Sequence, residues 1–158
     1  MKALRHLIAS FYHALCGIGM CIVYERNFRI HMVCIIYVLY FSRFYQLDKP
    51  SFALLIVACG LVPAFEAINT AVEFLSDRVE PKRDKMIKHA KDIAAASVFL
   101  SALTAAVIGL VLLWDVSVFK AIYQYFIQSV FRIIILLMSI VISVIFIFFK
   151  LGDKTNDK

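Results

Sequence analysis

The sequence predicts an all-α integral membrane helical bundle, with an N-terminal amphipathic surface helix, three crossing helices and an extra C-terminal one. Three observations predict it. Hydrophobic residues fill 63% of the 158 positions, against about half in a soluble domain, and mean hydropathy is +0.86. Several runs approach the roughly 20 apolar residues that a bilayer crossing needs. The net charge of +6 sits on residues that flank those runs. That is the pattern of positive-inside topology, and no nucleic-acid partner is expected. So few helices enclose a site poorly alone, which predicts an oligomer.

The elements follow in chain order. Over residues 1–24, Leu4, Leu7, Ile8, Phe11, Leu15 and Ile18 recur at spacings of three and four, among Lys2, Arg5, His6 and His13. This predicts a helix with a basic side lying in the interface, loosened by Gly17 and Gly19. Leu15 precedes Cys16 where a lipoprotein cleavage site wants a small residue, so no cleavage is expected. Glu25–His31 is a dense polar turn in which Glu25 is the odd member, since a headgroup flank needs no acid. The first crossing is read over about 30–47, ending in an aromatic belt, and Pro50 breaks the chain before the next. The second crossing covers about 51–75, with Pro63 kinking it one turn before Glu66. The charged stretch 77–92 is a loop, and Lys91-Asp92 opens the third helix, whose apolar run is about 93–114 with small residues for close packing. Residues 115–128 form an interfacial connection, and 133–149 a last apolar run between Arg132 and Lys150, read as an anchor without chemistry. Cys16, Cys21, Cys34 and Cys59 lack metal-ligand spacing and read as buried free thiols.

The loop charges set the orientation. The N-terminus, the 76–92 loop and the basic tail 150–158 face the cytosol, and residues 46–50 and 115–128 lie outside.

One segment stands apart. Glu66, Asn69, Glu73 and Asp77 are spaced i, i+3, i+7 and i+11, so they share one stripe of a helix. Glu66 and Glu73 are about 10 Å apart along the axis. Ionisable groups at membrane depth are costly and mark function by default. Glu25 and Lys91 fall at the same membrane level. Glu25 and Glu73 suit a hard divalent cation such as Mg2+, which takes one or two carboxylates plus substrate phosphates. Lys91 can neutralise phosphate charge, and Asn69 can orient phosphate or metal. Glu66, deeper and more desolvated, suits a general base on a hydroxyl at the bilayer surface. Together these parts suit phosphoryl transfer, although no Walker sequence or kinase glycine-rich loop is present. Two other readings stay open on periodicity alone: an ion or proton pathway in a small channel or transporter subunit, and hydrogen-bonded glue between helices.

The strings Ser10-Phe11…Gly17, Glu25-Arg26-Asn27-Phe28-Arg29-Ile30-His31, Glu66-Ala67-Ile68-Asn69-Thr70-Ala71-Val72-Glu73…Asp77 and Ala90-Lys91-Asp92 resemble the prokaryotic diacylglycerol kinase family, which includes undecaprenol kinases. The resemblance covers roughly residues 10–114, so that 1–114 reads as a lipid kinase membrane domain and 115–158 as an additional segment with one crossing and a polar tail. It implies a homotrimer with sites shared between subunits in the bacterial inner membrane, multi-pass and facing the cytosol. It implies ATP and Mg2+ as cofactors and a lipid alcohol as acceptor. By the resemblance Glu66 is the catalytic base and meets the lipid, and Glu25 and Glu73 hold the metal. Glu25, Asn69, Glu73, Asp77, Lys91 and Asp92 contact the nucleotide. His13 stands where the family often has a tyrosine near the nucleotide base. Ala95 replaces a serine near the lipid in diacylglycerol-specific members. That change and the Glu25–His31 string are more similar to the undecaprenol kinases, with diacylglycerol as the alternative acceptor.

Overall fold

The computed structural model describes residues 2–79, 84–149 and 152, without the side chain of Ala3. The described residues form six α-helices and no strand: α1 Lys2–Tyr24, α2 Arg26–Ser42, α3 Lys49–Val79, α4 Lys85–Leu113, α5 Val116–Ile127 and α6 Val130–Phe148. Four of them, α1, α3, α4 and α6, are long and apolar enough to cross a membrane. The surface helix α1 thus has a crossing helix's length and composition, which its basic side had obscured. α2 has 17 residues and measures about 26 Å.

The helices outrun their apolar segments. α3 runs unbroken through Pro63 and on to Val79, and α4 starts at Lys85. The stretch 77–92, expected as a loop, is therefore mostly helical. Asp84 makes that possible by capping α4, its carboxylate accepting the N–H groups of Met86 (2.7 Å) and Ile87 (3.1 Å). The charged side chains around it lie on helix ends that project beyond the apolar layer. Residues 80–83, with Pro81, Lys82 and Arg83, and the basic tail 150–158 apart from Gly152 lie outside the described residues. α1 is continuous through Gly17 and Gly19, which do not loosen it. α2 stops at Ser42, earlier than the predicted 47, because Phe44 and Tyr45 donate to the carbonyls of Phe41 and Ser42 and tighten the chain into a turn. Asp48 then receives the Ser51 N–H (3.1 Å) to start α3. Residues 116–127, expected as a connection, form the short helix α5 because Asp115 caps it at the Ser117 and Val118 N–H groups.

α3 and α4 form an antiparallel hairpin, with α1 and α2 packed on α3 and α6 on the outer side of α2 beside α5. What core there is lies along α3, where Leu55, Ala58 and Val62 are buried, while α4, α5 and α6 bury no residue. Four bonds of Tyr37 and Arg29 fix α6. The Tyr37 hydroxyl meets Ser139 Oγ at 3.0 Å and Ser143 Oγ at 3.3 Å mid-helix. At the other contact Arg29, only 5% exposed, bonds the Ile147 carbonyl through Nε (3.3 Å) and Nη2 (3.2 Å). Its Nη1 donates to the carbonyls of Ile22 (2.8 Å) and Val23 (3.1 Å). Arg29 so satisfies terminal carbonyls of two helices at once, where a cation also complements the dipole. Gly152 ends close by, where an added Cβ would stand 2.6 Å from a Val23 methyl. The end of α1, the start of α2, the end of α3, the start of α4 and the end of α6 consequently share one end of the bundle.

Candidate functional site

The polar stripe of α3 faces inward at that end. Glu66 is 2% exposed, Thr70 3% and Asn69 9%, with Ile68 and Leu75 turned outward. Thr70 is held by its own helix, its hydroxyl donating to the Glu66 carbonyl at 2.9 Å. Asn69 Nδ2 donates to Glu73 Oε1 at 3.2 Å, one helical turn on. Asn69 Oδ1 is buried and accepts no hydrogen bond from the described residues.

Glu25 reaches the same place from the break between α1 and α2. Its backbone is extended (φ −113°, ψ 111°) and its side chain makes no capping hydrogen bond to α2. Two observations put it beside α3. The rings of Tyr24 and Phe74 meet edge to face at 5.9 Å, so their neighbours Glu25 and Glu73 stand at one level. The buried thiol of Cys21, in the last turn of α1, lies within electrostatic reach of both Glu25 and Glu66. Cys21 was not anticipated here; its signal was its place one turn before Glu25. The other thiols differ from expectation: Cys16 and Cys34 are exposed and Cys59 half-buried, because within one chain their helix faces are uncovered.

α4 closes the group. Lys91 Nζ donates to Asp77 Oδ1 at 2.7 Å, tying the start of α4 to the end of α3 one turn beyond Glu73. Asp92 and Ala95 are exposed on α4, and His13 is exposed on α1, about 18 Å along the axis from Glu25. The fold therefore brings Glu25, Glu66, Asn69, Glu73, Asp77 and Lys91 to one end of one chain and leaves His13, Asp92 and Ala95 at its surface.

Residues 12–113 match the family model described as prokaryotic diacylglycerol kinase. The chain belongs to the prokaryotic diacylglycerol kinase family. It is 34% identical over 105 residues to a protein of Synechocystis named diacylglycerol kinase, covering 66% of this chain and 60% of that one. It is 31% identical over 109 residues to the undecaprenol kinase of Bacillus subtilis, covering 69% of this chain and 89% of the relative. A Haemophilus influenzae diacylglycerol kinase is 36% identical over 62% of this chain and 83% of its own length. The names across this family are those of lipid kinases, which imply a nucleotide as phosphate donor. The matched region stops at the end of α4, so α5 and α6 lie beyond it.

The donor set fits a hard cation. Glu25 and Glu73 offer carboxylate oxygens at one level, and the buried Asn69 Oδ1 offers another oxygen. Among the described residues no group of three or more His, Cys, Asp or Glu side chains gathers as a metal site. Two carboxylates with the rest left to phosphate and water is the usual mode for Mg2+.

Proposed function

We propose that this protein transfers the terminal phosphoryl group of ATP to the hydroxyl of a membrane lipid alcohol, with Mg2+ bound by Glu25 and Glu73. The observation that carries the reading is the burial of Glu66 on the face of α3 that also carries Asn69 and its bonded partner Glu73. A carboxylate placed so deep in an apolar chain is costly unless it has a use.

Glu66 accepts the proton of the lipid hydroxyl as that oxygen attacks the terminal phosphorus; the leaving diphosphate oxygen departs on the opposite side. Asn69, fixed through its amide to Glu73, positions the phosphate end of the site. Lys91, held by Asp77 on one N–H, has two further donors for phosphate oxygens. The metal, when bound, offsets the negative charge of the phosphates. Asp92 completes the nucleotide contacts. His13 and Ala95, exposed on one chain, would meet nucleotide base and lipid where copies adjoin, in a homotrimer of the bacterial inner membrane with sites toward the cytosol. That orientation rests on the basic residues Arg26, Arg78, Lys85 and Lys88, which gather at this end.

Undecaprenol is the preferred acceptor, on the Glu25–His31 string and the Bacillus subtilis relative. Diacylglycerol is the second reading, favoured by the names of the Synechocystis and Haemophilus relatives. Labelled ATP offered with both lipids in detergent micelles separates them by product. Glu66→Gln should lower turnover by about 10²–10⁴-fold, the usual weight of a general base, while nucleotide binding persists. Full turnover in that variant removes Glu66 as base. Ion flux in liposomes that needs Glu66 but no nucleotide would replace the kinase reading with a conduction pathway.

A further inference from the structure

We propose that the groove between α2, α5 and α6 is a binding site for an anionic phospholipid, with its mouth at the end of the bundle away from Glu25 and Glu73. The groove encloses about 390 Å³, within the roughly 300–1,000 Å³ of small-ligand sites. It is too small for a whole two-chain lipid and commits to one acyl chain with its headgroup at the mouth.

Its inner wall is suited to hydrocarbon. Val33 and Ile36 of α2 face Ile135, Leu136 and Ile142 of α6. The hydroxyls that enter it, Tyr37, Ser139 and Ser143, bond one another, so no polar group along the wall needs a partner from the ligand. Its mouth is suited to phosphate. Arg132 lies over the ring of Tyr125 at 4.0 Å and spends one N–H on the Tyr125 carbonyl (2.7 Å). Arg43 lies over Tyr40 at 4.0 Å and within 5.9 Å of the same Tyr125 ring. Its Nη2 donates to the Tyr40 hydroxyl at 2.9 Å. Each guanidinium thus rests on a tyrosine ring, Arg43 Nη2 also reaches the Tyr125 hydroxyl at 3.5 Å, and further N–H groups of both arginines remain for a ligand. Among the described residues neither guanidinium pairs with a carboxylate; the ion pair found there is Lys91–Asp77, at the far end. Two oriented, uncompensated forks beside an apolar slot match a phosphate that is tethered to an acyl chain. Arg29 and Arg43, at opposite ends of α2, set the mouth of this groove about 21 Å along the axis from the end that bears Glu25, while its inner end reaches Val33 and Ser143.

The test uses the full chain purified in a zwitterionic detergent. Native mass spectrometry would compare phosphatidylglycerol with phosphatidylcholine of the same chains. The anionic lipid should be retained about tenfold better, and Arg43→Gln with Arg132→Gln should erase that preference, as expected for loss of charge-assisted phosphate bonds. Lys49→Gln, a cation at the same end outside the groove, should leave it intact. Equal retention of both lipids, undiminished preference in the arginine variant, or equal loss in Lys49→Gln would each overturn the site. Inorganic phosphate alone should give no bound adduct; an adduct at the arginines without lipid would also overturn it. Should the arginine variants fail to fold, a phosphatidylglycerol with a photoactivatable acyl chain is applied to the unaltered protein. Label confined to residues 132–143 and 33–40 supports the proposal, and label spread over the exposed face of α4 defeats it.

Discussion

Replacing Arg29 tests the joint between the region that matches the family, residues 12–113, and the helix α6 beyond it. The side chain makes four bonds to three carbonyls, at 2.8, 3.1, 3.2 and 3.3 Å, and is 5% exposed. A hydrogen bond from a charged donor contributes about 1.5–3 kcal/mol. The long distances put these bonds at the lower limit, and the Ile22 and Val23 carbonyls regain some water at a helix end. Arg29→Met should therefore cost about 3–5 kcal/mol. Arg29→Lys, a point charge that cannot span both helix ends, should keep either the α1 or the α6 bonds and lose about half. Unfolding in mixed micelles of rising dodecyl sulfate reads both values. The cycle is completed with a chain ending at residue 114. With Ile147 gone, Arg29→Lys should cost little, leaving a coupling of about 1–2 kcal/mol. Arg29→Met within about 1 kcal/mol of the unaltered chain, or a coupling near zero, would refute the reasoning, since a surface arginine behaves so.

Asp77→Asn breaks the ion pair with Lys91, whose side chains are 62% and 36% exposed; stability should change by under about 1 kcal/mol, while phosphoryl transfer falls at least tenfold if Lys91 serves the nucleotide. Lys91→Gln should behave alike, and a stability loss without an activity loss would make the pair structural. Tyr37→Phe removes the bonds to Ser139 and Ser143 and should lower unfolding free energy by about 0.5–1.5 kcal/mol, read in the same mixed micelles. Asp115 is held below the usual carboxylate range by the Ser117 hydroxyl and the Ser117 and Val118 N–H groups. A depressed carboxyl stabilises above its unfolded value, near ~3.9, and loses that contribution as pH falls through the folded value. Fluorescence of Trp114, the one tryptophan, which packs on Phe119 at 5.9 Å, should thus be flat from neutral pH to about 5 and change only below about 4. Asp115→Asn should remove that acid step.

The helices and the acid stripe were legible because each is written locally. The i, i+3, i+7 spacing that puts Glu66, Asn69 and Glu73 on one face needs no tertiary information, and the structure buries Glu66 and Asn69 and half-buries Glu73. Helix ends were less legible. Lys85, Lys88 and Lys91 read as loop because charge is excluded from the apolar layer, yet a helix continues past that layer once Asp84 caps it. Arg29 read as an ordinary headgroup flank. What buries it is Ile147, 118 positions away, and no local pattern announces such a contact. α6 read as a plain anchor, yet Ser139 and Ser143 stand one turn apart in an otherwise apolar helix. That pair was the available sign of a neighbour, and the neighbour is Tyr37.

The position of α6 bears on assembly. A helix beyond the matched region 12–113 can cover a face through which copies would otherwise meet. Here α6 takes the outer side of α2 and α5 and leaves α4 with Phe99, Leu103, Val107 and Leu110 exposed along one side. The apolar faces of α3 and α4 stay open to lipid or to further copies, and α3 carries the acids at its inner end. An oligomer built through α3 and α4 is thus compatible with the addition, and α6 becomes a brace on the periphery. Two contacts link it to the site end: Phe148 lies under the Arg26 guanidinium at 5.8 Å, and Arg29, four residues after Glu25, bonds both Ile147 and the last turn of α1. A brace so placed stiffens the turn bearing Glu25 from the side of α2 away from α3, and so leaves the acid face of α3 uncovered.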